Sequence, residues 1–150
     1  MLPIIDYLPA RMEKNDEKRL QLIRAVLAVP AEKNAHADTL ARAMLAWVQL
    51  AAHLSPLIGE AGFCALYGRA VRLTSPDGDW PAATHGVRSI AALLATLNSS
   101  LAAVAPSKAS AANTALLETF TKLLAGLIGE ALTIRLLNTA WAFGPDGKST

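Results

Sequence analysis

The chain is 150 residues long, 53% apolar and 17% charged, and fourteen basic against twelve acidic residues leave a net charge of +2. So apolar and weakly charged a composition excludes a disordered chain and allows one ordinary domain with a large core. The small net charge gives no electrostatic reason to expect nucleic acid or an anionic membrane as a partner, and the single cysteine, Cys64, excludes an internal disulfide and fits a reducing compartment.

Residues 1–12, with Pro3 and Pro9, are expected to form an extended arm made apolar by Leu2, Ile4, Ile5, Tyr7 and Leu8. This opening lacks the basic-then-apolar order of a secretory leader. Asp16 opens a first helix whose Leu20, Ile23, Val26 and Leu27 recur at helical spacing until Pro30. Its charges, Lys18, Arg19 and Arg24 interleaved with Asp16 and Glu17, read as a solvated face. A second helix is expected from about Asp38, with Leu40, Met44, Trp47, Val48, Ala51 and Leu54 as its apolar stripe, stopping by Gly59. A third runs from about Glu60 to Leu73. The stretch "TSPDGDWPAATHG" is a loop by every turn signal. A fourth helix carries Val87, Ile90, Leu93, Leu94, Leu97 and Leu101, and Pro106 begins the next connection. The stripe of a fifth starts at Asn113 or Thr114, and a sixth follows Gly129 and ends near Phe143. Residues 144–150 read as a mobile tail.

The fold class is therefore all-α: one domain over 1–150, a bundle of about six helices. Strand signals are almost missing. The longest uncharged apolar stretch, Ser89 to Ser107, is broken by Asn98, Ser99, Ser100 and Pro106, so no membrane span is expected and the cytoplasm is the expected compartment.

"LIGEA" occurs twice, at Leu57–Ala61 and Leu127–Ala131. Sliding the sequence by 70 positions also places Trp47 on Leu117, Leu50 on Phe120, Tyr67 on Leu137 and Ala70 on Ala140. One reading is two pseudo-repeated three-helix halves with glycine corners at Gly59 and Gly129; the other is convergence on a common way of ending a helix. In either, the two glycines are expected in the left-handed region, with Leu57, Ile58, Leu127 and Ile128 as the last core residues before each corner. Glu60 and Glu130 are expected in the first turn of the following helix, stabilised by its free N–H groups. An alternative has the two acids meeting across a twofold axis and acting on a ligand or on Arg69 and Arg135.

Chemistry-bearing motifs are sparse. "AAHLSPLIGEAG" resembles histidine phosphotransfer domains in its mid-helix His53, which such a resemblance would make the phosphoryl acceptor. It departs from them in lacking the lysine that follows and in placing Pro56 within the helix. In length and helical class the chain also resembles globins, with His53 and His85 as a loose histidine pair. No phenylalanine precedes His53 to brace a haem, and His85 sits at a loop edge. His36, His53, His85 and Cys64 show no metal-ligand spacing, and Cys64 on an apolar helix face reads as a core residue. No catalytic constellation, phosphate loop or dinucleotide turn is visible, so no enzyme, cofactor or metal is expected.

The expected function is protein interaction: a small regulatory or adaptor-like partner that acts through an apolar helical surface as a homodimer. From Thr84 to Phe143 ionised groups are few, and the fourth helix offers the small residues Ala91, Ala92, Ala95, Ser99 and Ala102 as an interface. The runner-up is an apolar small ligand held in an inter-helical cavity lined by Trp47, Phe63, Tyr67, Phe120 and Trp141.

Overall fold

Leucine and alanine at helical spacing, with few β-branched residues between them, favour helices throughout. In the computed structural model, which describes residues 17–28, 35–75 and 88–141, every regular element is a helix. These are α1 over 17–27, α2 Ala35–Thr74, α3 Ile90–Ala102, α4 Pro106–Ile128 and α5 Glu130–Trp141. The expected apolar arm, the tail over 144–150, Val87, His85, Phe143 and most of the long loop lie outside the described residues.

Among the described residues five helices thus stand where six were expected. The second and third are one 40-residue element, α2, with a kink at Gly59. Pro56 does not end it: the ring lies inside the helix, three residues before the kink, where it removes one ladder hydrogen bond. The start of α4 is also earlier than its leucine stripe suggested. Pro106 occupies its first turn, where a missing N–H costs nothing, so this proline opens the helix rather than the preceding connection. Ser89 caps α3, its hydroxyl accepting from Ala92 N–H at 3.2 Å.

Both glycine corners have positive φ. Gly59 is at φ 81, ψ 161 and Gly129 at φ 98, ψ 151. The extended ψ is a departure from the expected helix-closing left-handed turn: this is the mirror-image extended region, which only glycine enters cheaply. The chain changes direction at both: α2 is kinked at Gly59, while α4 ends at Gly129 and helical hydrogen bonding resumes at once in α5, with Thr133 N–H donating to Gly129 C=O at 3.0 Å.

One core joins all five helices, with Ile23, Trp47, Leu97, Phe120 and Leu137 completely buried. α2 runs through its middle and packs on α3, α4 and α5. Arg19 corrects the reading of α1 as a solvated face: Lys18 and Arg24 are exposed, but Arg19 is buried beside Ile23 with its guanidinium 4.0 Å from the Glu130 carboxylate.

Candidate interaction surface

The outer face of α3 is built from small residues. Ala91, Ala92, Ala95, Ser99 and Ala102 are all exposed, while Leu93, Leu94, Leu97 and Leu101 point into the core. No residue of α3 is ionisable. Beside it, α2 turns Ala41, Leu45, Val48 and Ala52 outward on one line of the helix. Leu45 is 51% and Val48 48% exposed, which corrects the placement of Val48 on the buried stripe. The charged and polar residues of this part of α2, Arg42, Gln49 and His53, lie along its other edge.

Between the two helices runs an open groove. Leu40, Met44 and Leu94 form its floor, and Ala41, Ala91, Ala95 and Asn98 its walls. The face therefore holds an apolar ridge, Leu45 and Val48, next to an apolar hollow, with no ionised group in either. Leu45 could have been found in the sequence: it sits at helical spacing from Ala41, Val48 and Ala52, outside the main leucine stripe.

Of the five aromatic residues considered as a cavity lining, Trp47, Phe63, Tyr67 and Phe120 pack against one another, and Trp141 is buried in the same core. Trp47 meets Phe120 edge-to-face with ring centroids 5.2 Å apart and Tyr67 at 5.3 Å, and Phe63 lies 5.1 Å from Phe120. Trp47 Nε1–H donates to buried Asn113 Oδ1 at 2.8 Å, and Trp141 Nε1–H to Ala46 C=O at 3.1 Å. These rings fill the core. A partly open hollow lined by Leu27, Leu40, Leu101 and Asn113 among others has a volume of about 20 Å³, room for one water.

At the corners, Leu57 and Leu127 are 58% and 63% exposed, so neither is the core residue expected of it. Ile58 and Ile128 beside them are half-buried. Glu60 does for another helix what it was expected to do for its own. Its Oε2 accepts from Ile90 N–H at 2.8 Å, supplying a carboxylate to the first turn of α3, which has none. Glu130 faces Arg19 of α1. The two acids serve different helices, and Arg69 and Arg135 are both exposed.

The remaining reactive groups are quiet. Cys64 is buried; burial pushes its thiol pKa up, and the Glu60 carboxylate adds to the shift, so thiolate is scarce. Burial likewise raises the Tyr67 hydroxyl, which has no hydrogen-bond partner among the described residues. His53 is exposed, its Nδ1 3.0 Å from Gln49 C=O, and the side chain of His36 lies outside the described residues. Among the described residues no three metal-ligating side chains cluster, and no helix is long and apolar enough to cross a membrane. Comparison of the chain with protein-family models, with curated proteins and with solved structures finds no match.

Proposed function

We propose that this protein acts through contact with other protein chains, in a regulatory or adaptor-like role, and that it does so as a homodimer joined across the α2–α3 face. One observation carries the reading: an uncharged apolar ridge, Leu45 and Val48, stands beside an uncharged apolar groove. A twofold dimer needs a patch that is complementary to itself, and a ridge next to a hollow of matching chemistry meets that need. The small side chains of Ala91, Ala92, Ala95, Ser99 and Ala102 let two backbones approach closely. Light scattering at micromolar concentration is expected to report twice the chain mass. Ala95→Glu, which puts a charge into the groove wall, is expected to return the monomer mass. A parent chain that is monomeric throughout would overturn the reading.

We further infer that the chain is built from two pseudo-repeated three-helix halves, with α2 counted as two helical segments about Gly59. Burial recurs at the 70-residue offset: Ala46 with Leu116, Trp47 with Leu117, Leu50 with Phe120, Leu54 with Leu124, Tyr67 with Leu137 and Ala70 with Ala140 are buried in pairs. The two glycines share one rare backbone conformation, and Leu57 and Leu127 share exposure. The acids reach across reciprocally: Glu60 to Ile90, at the head of the second half, and Glu130 to Arg19, one residue from the matching position in the first. Such an exchange is what an internal twofold axis requires. Expressed together as separate chains, residues 1–75 and 76–150 are expected to associate into one folded particle; two halves that stay unfolded and apart would count against the model.

A further inference from the structure

A second apolar groove lies on the other side of α2, between its C-terminal half and α4. Leu66, Leu73, Leu123 and Leu127 line it, and Leu73 and Leu127 are 57% and 63% exposed. Arg69 on α2 and Lys122 on α4 stand exposed along its two walls. No carboxylate lines it, and neither cation has an ion-pair partner among the described residues. Gly126 forms part of the lining. Its backbone is helical, and a Cβ built there would meet nothing within 4 Å. The fold itself therefore has no use for glycine at this position, and alanine would make a better helix. Glycine does allow something from outside to approach the α4 backbone closely.

We propose that this groove binds an amphipathic helical segment of another protein, whose apolar stripe is flanked by carboxylates. The leucines would take the stripe, in the helix-in-groove manner. Arg69 and Lys122, on opposite walls, select acidic flanks and reject basic ones, because a lysine there would meet a like charge as water is excluded. Gly126 marks the point of closest approach. The site is separate from the uncharged α2–α3 face, so one chain offers two surfaces of different chemistry: a neutral one for its own copy and a cationic-rimmed one for a partner.

The test uses the full chain and two synthetic probe helices, one with a leucine stripe flanked by glutamates and a twin with lysines in their place. Fluorescence anisotropy is expected to show the glutamate probe binding at least about tenfold more tightly, with the margin shrinking as salt rises. Arg69→Glu combined with Lys122→Glu, both at exposed positions, is expected to reverse the preference. Gly126→Ala is expected to raise the melting temperature and weaken binding, a pairing that a purely structural glycine would not produce. Equal affinity for the twins, or an unchanged preference in the charge-reversed variant, overturns the proposal. So does tighter binding of a peptide with the sequence of residues 2–10 than of the glutamate probe, which would give the groove to the chain's own N-terminal segment. If Leu127→Lys splits a dimer that binds neither probe, the groove is a self-contact and the proposal is also overturned.

Discussion

Four glycines allow one substitution to be read with opposite signs. At Gly59, Gly68, Gly126 and Gly129 an added Cβ meets nothing within 4 Å, so Gly→Ala at each tests backbone conformation free of packing. Gly59 and Gly129 sit at φ 81 and 98 with ψ near the extended value. Holding an alanine there costs about 1–3 kcal/mol. The loss of unfolded-state freedom returns about 0.4–1 kcal/mol, leaving a net destabilisation of up to about 2.6 kcal/mol. Gly68 and Gly126 lie in helical backbone, where the same change is expected to stabilise by about 0.5–1 kcal/mol. For a chain of this size each kcal/mol moves the melting temperature by about 2–4 °C. Thermal melts followed by circular dichroism should therefore place the corner variants below the parent and the helical variants above it. Asparagine should do no better than alanine at the corners, because its tolerance of positive φ belongs to the left-handed helical region and not to extended ψ. Corner variants that melt with or above the parent would show that α2 runs straight through Gly59, and the reasoning from paired corners would fail.

The buried Trp47–Asn113 hydrogen bond gives a double-mutant cycle: Trp47→Phe strands an acceptor and is expected to cost about 2–4 kcal/mol, of which Asn113→Leu in the same background restores at least about 1 kcal/mol. If the second change adds to the loss in urea melts, the pair is not coupled. Glu60→Ala is expected to cost about 0.5–1 kcal/mol and to speed exchange of the Ile90 amide; an unchanged exchange rate would remove Glu60 as a cap of α3. Tyr67 gives a pH dependence. Its hydroxyl stays protonated in the fold above the pH at which the unfolded chain ionises, so stability falls as pH rises past about 10, by up to about 1.4 kcal/mol per unit. Tyr67→Phe is expected to lose that contribution while keeping at least the parent's stability near neutrality, and alkaline melts that superpose for the two chains would contradict the burial argument.

Helix class and most helix ends were legible because leucine spacing reports the buried face directly. The corner glycines were legible because LIGEA repeats. What escaped the sequence were pairings set by tertiary position. Nothing local says that Glu60 reaches the head of α3, since the helical segment after the Gly59 kink begins at the same residue and offers an equally good partner. Arg19 lies among alternating charges that argue for solvent, yet its place beside Ile23 buries it. Leu57 and Leu127 read as the last of a leucine stripe, yet both are exposed, because spacing reports which face of a helix is apolar and not where along the helix the core stops. Val48 reads as part of the buried stripe with Met44 and Trp47, but it lies at the edge of that stripe and is 48% exposed. One position is a rotation of about 100° on a helix, enough to move a side chain from core to surface. Pro106 hid the start of α4 because proline ends some helices and begins others.

The claim most exposed to test is that the α2–α3 face is covered by a second copy. Isotope-filtered NMR on a mixture of labelled and unlabelled chains reads only contacts between copies. Cross-peaks are expected from the Leu45 and Val48 methyls of one chain to the Ala91 and Ala95 methyls of the other, and they should vanish in Ala95→Glu. A dimer whose cross-peaks come from other residues, or a spectrum with none at a concentration where the mass is doubled, would contradict the account.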